Sequence, residues 1–187
     1  MVLLITGLLL FCGVHLIGRI FPDYRKQLKG RLGDGGYKGI YSLLSIGGIV
    51  LIVFGWRASE FQPVYFPTDE MRIIGFTLMI PAVILLLTAQ VQSNLKRMIR
   101  HPQLSGVIVW SVAHLLMNGD VRSIILFAGF SLWGIVSILL INYRKGIWQK
   151  PHPVTWMIEL RNFVAASLLF LTLFYLHPYI AGVAIAV

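Results

Sequence analysis

The stretch "RHPQLSGVIVWSVAHLLMNGD", Arg100–Asp120, poses the problem of this chain in one line. Between Pro102 and Met117 it is apolar enough to enter a membrane, and the "NGD" that follows reads as a tight turn. Proline after His101 favours a helix start, because its missing N–H is one the first turn would leave unbonded anyway. The helix is short for a span, since about 20 apolar residues cross the hydrocarbon core. It nevertheless carries His114, and His101 stands at its mouth. An imidazole in lipid needs a partner, and an ionisable residue inside a span is a functional hypothesis by default.

The rest of the chain has the same character. Of 187 residues, 57% are hydrophobic and 12% charged, where a soluble domain has about 45–50% and about 25%. Mean hydropathy is +0.80. The expectation is an all-α integral membrane bundle of about six transmembrane helices, forming a single domain over 1–187. The six runs are Val2–Phe21, Gly39–Trp56, Met71–Val91, Pro102–Met117, Val121–Asn142 and Asn162–Ala184. Spans four and five should form an antiparallel hairpin about "NGD". Cys12 is the single cysteine, so no intramolecular disulfide can form. The N-terminal run lacks a basic leader and a small-residue cleavage site, and reads as a retained helix.

The net charge of +9 does not point to nucleic acid, because the cations lie between apolar runs. Arg19, Arg25, Lys26, Lys29, Arg31 and Lys38 fall in one connection, while Arg57–Glu70 carries Arg57 against Glu60, Asp69 and Glu70. Lys96, Arg97 and Arg100 mark the next connection, "NGD" is acidic, and Arg144, Lys145, Lys150 and Arg161 mark the last. Basic loops stay in the cytoplasm. Both termini are therefore expected outside, in the periplasm of a bacterial inner membrane. The glycine-rich "KGRLGDGGYKG", Lys29–Gly39, lacks the Gly-Lys-Ser/Thr ending of a phosphate loop and reads as a flexible basic loop near anionic headgroups. Pro81 should kink span three.

Five histidines occur. His152, in a proline-rich loop, and His177, near the end of the last span, fit the membrane interface. His15 and His114 lie deeper, with no acid within a helical turn. One such ring is readily satisfied by a backbone carbonyl; two on separate helices suggest a shared ligand. The spans hold no Asp or Glu, so a zinc site with three or four protein ligands is poorly supplied. Two neutral imidazoles suit the axial positions of a haem, and Phe11, Trp110, Phe127, Phe130 and Trp133 could line its slot. His15 lies about 10 Å from the inner boundary and His114 about 18 Å, at 1.5 Å per residue. His101 stands roughly 140° around the helix from His114, so the two do not face one cofactor as an adjacent pair.

Two motifs, "RHPQLSGVIVWSVAHLLMNGD" and "FCGVHLIGR", carry a resemblance over nearly the whole chain to the NnrU family of bacterial membrane proteins. More distantly the chain is similar to the plant and cyanobacterial zeta-carotene isomerases, which bind haem b and isomerise a cis double bond. The resemblance implies haem b, with His15 and His114 as iron ligands and Trp110 and Ser111 around them. His101 matches the histidine of the Arg-His-Pro motif, and with Arg100 it would hold a headgroup or a haem propionate. The isomerases have a cysteine three residues before the second ligand; Ser111 replaces it here, which puts their thiolate switching in doubt. The NnrU resemblance further implies an association with denitrification, that is, nitrite and nitric oxide metabolism. Membrane lipid, haem and an apolar substrate are the expected partners.

Two other classes compete. "RHPQLSG" is similar to an element of isoprenylcysteine-type methyltransferases, which bind S-adenosylmethionine. Their later arginine with paired glutamates is not matched, since Glu159 is the only late acid. A structural membrane subunit without cofactor is the third reading.

Overall fold

The computed structural model describes residues 1–183. Among the described residues six helices follow one another: α1 (Val2–Ile20), α2 (Pro22–Arg57), α3 (Asp69–Thr88), α4 (Pro102–Met117), α5 (Val121–Lys145) and α6 (Trp156–Ala181), with a 3₁₀ turn at Asn94–Arg97. All but α4 are long and apolar enough to cross a membrane. The α4 helix has 16 residues and is about 24 Å long. The chain is thus an all-α, multi-pass membrane protein. The start of α6 lies six residues earlier than the apolar pattern suggests, and the expected end of that span, at Ala184, lies outside the described residues.

The principal packing contacts order the helices as a row, α2–α1–α5–α4–α3–α6. Small residues allow the closest pair. A Cβ on Gly55 would stand 2.2 Å from the Leu4 nitrogen, and one on Gly7 2.7 Å from the Ile52 nitrogen. Small residues facing each other let membrane helices approach backbone to backbone. Leu4, Leu8, Ile52, Leu126 and Phe127 fill the resulting core between α1, α2 and α5. By contrast α6 buries only Asn162 and Ala166 and exposes Phe163, Leu168 and Leu171, a surface suited to lipid tails.

The tight turn after α4 is present. The Gly119 carbonyl accepts from Val64 N at 2.8 Å and Tyr65 N at 3.0 Å. A Cβ on Gly119 would lie 1.9 Å from the Tyr65 carbonyl oxygen, so only glycine fits this approach. Here α4 and α5 form the expected hairpin, and the 58–68 connection closes over it.

The basic segment 19–38 departs from expectation. It is helical rather than a flexible loop, broken at Phe21 between α1 and α2 and again at Gly33 with φ 71° and ψ 164°. That conformation costs glycine little and other residues much. The stretch Arg25–Leu32 is mostly Arg, Lys, Gln and Leu, which favour helix, and Lys29 pairs with Asp34 at 2.8 Å across the break. The chain also runs through Pro81 as one helix, Asp69–Thr88.

Candidate functional site

A cavity of about 830 Å³ opens between α1, α4 and α5, extending to the end of α3 and the α5–α6 connection. Toward the middle of the bundle its walls are aromatic: Phe11, Trp110, Phe130 and Trp133. Toward the basic end they carry Arg19, Lys96, Arg100 and His101, and Trp148 and Pro151 from the α5–α6 connection cover that end. Ligand pockets generally have this make-up, apolar walls with a few convergent polar groups.

His15 lines the cavity. Its Nδ1 lies 2.7 Å from the Phe11 carbonyl oxygen one turn back. A carbonyl only accepts, so Nδ1 carries the proton and Nε2 keeps its lone pair. The ring is held by Phe11 at 4.3 Å, Tyr41 at 5.1 Å and Trp133 at 5.7 Å between centroids. Such an arrangement, with one ring nitrogen donating to a backbone oxygen, fixes tautomer and ring direction in metal-binding histidines.

His114 repeats the pattern on α4. Its Nδ1 donates to the Trp110 carbonyl at 2.9 Å, which again leaves Nε2 free. The environment differs, however. His114 is buried and its ring stacks on Phe127 at 4.4 Å, with Trp110 at 4.8 Å. It does not line the cavity, whereas Trp110 does. His177, assigned to the interface from sequence, is half-buried, and its ring centroid lies 6.4 Å from that of His114. His152 is exposed in the connection, as expected.

His101 therefore shares the cavity with His15, and His114 does not. Sequence reasoning had the angular separation of His101 from His114 but not which of them faced α1. His101 is held at the mouth by Asn142, with Nε2 donating to Oδ1 at 2.8 Å. Arg100 lines the mouth and donates to the Gly146 carbonyl at 2.8 Å. Ser111 is fully buried and its hydroxyl has no partner among the described residues; it lies outside the cavity lining.

Two features were not foreseen. Arg19, counted with the basic connection, belongs to the last turn of α1 and enters the cavity wall. Its guanidinium donates to Ser137 Oγ and lies 5.7 Å from the Trp133 ring. The signal in the sequence was its place inside the apolar "HLIGRIF". The second feature is the brace at the basic end. The Glu159 carboxylate accepts from Ser93 Oγ at 3.1 and 3.0 Å and from the Asn94 backbone N–H. The Asn94 side chain in turn bonds both backbone groups of Val154, each at 2.9 Å. Glu159 is thus a structural acceptor between α6 and the 93–97 turn, which is not the role the methyltransferase reading gave a late acid.

The donor set favours a ligand bound through one imidazole. Among the described residues no three His, Cys, Asp or Glu side chains gather as a ligand group. On its aromatic wall the cavity offers one free imidazole nitrogen, Nε2 of His15, and the indole N–H of Trp133, buried and unpartnered; at its mouth His101, which donates from Nε2 to Asn142, keeps the lone pair of its Nδ1.

The family described as "NnrU protein" matches residues 3–185, nearly the whole chain. No curated protein and no solved structure matches it.

Proposed function

From a chain that belongs to the NnrU family, a denitrification-associated family of membrane proteins, we propose a haem b-binding membrane protein in which His15 would hold the iron. The observation that carries this reading is the committed Nδ1 of His15, which leaves Nε2 as the one free imidazole nitrogen on an aromatic wall. Phe11, Trp110, Phe130 and Trp133 supply flat apolar surface, and Trp133 adds an N–H donor. Haem iron supplies electron-transfer and ligand-binding chemistry of the kind that nitrite and nitric oxide metabolism uses. His114 would be a second residue to hold the iron only if its ring reached the cavity, whose wall Trp110 occupies one turn before it.

An absorption spectrum of the haem-supplied protein in detergent tests this. The expected spectrum has a Soret band of the five-coordinate, high-spin type, and His15→Ala should remove it or release the haem. An unchanged band in His15→Ala, or no band in the wild type, ends the reading.

The orientation proposed is both termini in the periplasm of a bacterial inner membrane, from the alternation of charge. The helix neighbours support its internal logic: Arg57 at the end of α2 donates to the carbonyl of Tyr179 near the end of α6, while Arg144 at the end of α5 donates to that of Ile20 at the end of α1. A cysteine placed at Lys38 should resist an impermeant maleimide in intact cells. Efficient labelling from outside would reverse the orientation.

A further inference from the structure

Arg19 is the starting point. It is a permanent cation in the last turn of a membrane helix, half-buried, bonded to a serine hydroxyl and set against the Trp133 ring face. Among the described residues the ion pairs are Lys29–Asp34 and Arg122–Asp120, so no carboxylate lies within 4.0 Å of it. A guanidinium in such a place normally finds an anion, because transfer from water costs several kcal/mol that a hydroxyl offsets poorly.

Two more cations line the same cavity without acids. Lys96 donates to the Ala89 carbonyl at 3.0 Å, and Arg100 to that of Gly146. Each is thereby held in place by a neutral carbonyl, which fixes the side chain and leaves its charge unneutralised. Glu159, the acid on the neighbouring helix, is occupied by Ser93 and Asn94. The cavity thus has a cationic end and an aromatic end.

We propose that Arg19, Lys96 and Arg100 form an anion clamp that fixes the carboxylates of the cavity's ligand at the basic end of the bundle. This rests on the haem reading for the identity of the ligand, whose two propionates are the anions. The clamp sets ligand direction: carboxylates toward Trp148 and the α5–α6 connection, flat apolar body toward Trp110 and Phe130. Arginine suits the task because its planar fork meets a carboxylate with two parallel hydrogen bonds.

The test uses the full chain in lipid nanodiscs. Protoporphyrin IX and its dimethyl ester are titrated, with binding read by quenching of tryptophan fluorescence. The diacid should bind at least about tenfold more tightly than the diester, as expected for charge-assisted hydrogen bonds. That ratio should fall toward one in Arg19→Gln with Arg100→Gln. If Arg19→Gln does not fold, the ratio in wild type and in Arg100→Gln alone still decides. Equal binding of diacid and diester by the wild type, or binding of neither, overturns the clamp. So does displacement of protoporphyrin by equimolar phosphatidylglycerol, which would make a lipid headgroup the anion. Because these probes lack iron, the result is independent of His15. A clamp that holds while the Soret band survives His15→Ala would refute the ligation and keep the clamp.

Discussion

Compare the two ends of the bundle. Where α4 turns into α5, Arg122 is mostly buried and well partnered. It pairs with Asp120 at 3.2 Å, donates to the carbonyls of Ser59 at 3.0 Å and Trp56 at 3.3 Å, and lies 4.6 Å from the Trp56 ring. Asp120 also caps α5 by accepting from the backbone and hydroxyl of Ser123. Tyr65 closes the same corner by donating to the Leu115 carbonyl and, at 3.0 Å, to that of Asn118. At the opposite end Arg19, Lys96 and Arg100 meet neutral oxygens and open space. Both ends carry arginine near helix ends, but only the first supplies an acid to meet it. At one end the charges satisfy each other and hold helix ends together; at the other they are held in position with capacity to spare. The presence of arginine says little about purpose, whereas the inventory of its partners says much.

The closed end can be broken. Asp120→Ala would leave Arg122 without its counter-charge and α5 without its cap. Removing one partner of a buried pair costs about 3–5 kcal/mol, so the fraction unfolded should rise by more than about a hundredfold. Denaturant titration in micelles measures this. A loss below about 1 kcal/mol, the value of an exposed pair, would mean that the corner is solvated and the contrast between the ends is false. The converse holds at the cavity, where Arg100→Gln should leave stability nearly unchanged.

The next effect is spectral and concerns Trp110, which stands on the cavity wall with His114 one turn behind it. Under the haem proposal, Trp110→Ala removes a cavity-wall ring that packs on His114 at 4.8 Å, and would open the way for His114 to reach the iron. The haem-loaded variant should then shift from a high-spin to a low-spin, two-histidine spectrum. Adding His114→Ala should restore the high-spin form, which identifies the incoming ligand. A low-spin wild type that loses a ligand in His101→Ala and not in His114→Ala would assign the second position to the mouth of the cavity.

Much of this architecture was legible in the chain, and the gaps have physical causes. The Pro102 start of α4 and the hairpin at Gly119 follow from local chemistry, a proline that opens a helix and a glycine that only a close approach demands. The aromatic wall was legible as residues and not as a surface. The partition of histidines was not legible. His15 and His114 have the same local signature, an Nδ1 bonded to the carbonyl four residues back. What separates them is which helix lies opposite, and the row α2–α1–α5–α4–α3–α6 is a tertiary fact. Arg19 was misplaced because charge counting assigns cations to loops, although an arginine in the last turn of a helix can face a cavity as readily as water. The basic segment was misread because four glycines suggest a loop, whereas only Gly33 takes up a conformation that needs one.

The smallest effect concerns that segment. Lys29 bonds Asp34 across the Gly33 break and holds its carboxyl below the usual carboxylate range, first by the hydrogen bond and then by charge. A carboxyl lowered in the folded state adds stability above its ordinary pKa and loses it as pH falls through the lowered value. The pair would therefore favour the folded break at neutral pH and stop doing so in acid. Asp34 is fully exposed, however, and solvent screens such pairs until they contribute little. Lys29→Ala should return the Asp34 carboxyl to its ordinary range, seen by carbon-detected NMR of the side chain. It should leave both the denaturation midpoint at neutral pH and its acid dependence where they were. If the midpoint fell measurably, the break at Gly33 would depend on the ion pair, and the basic end would prove to be held by its charges after all, as the closed end is.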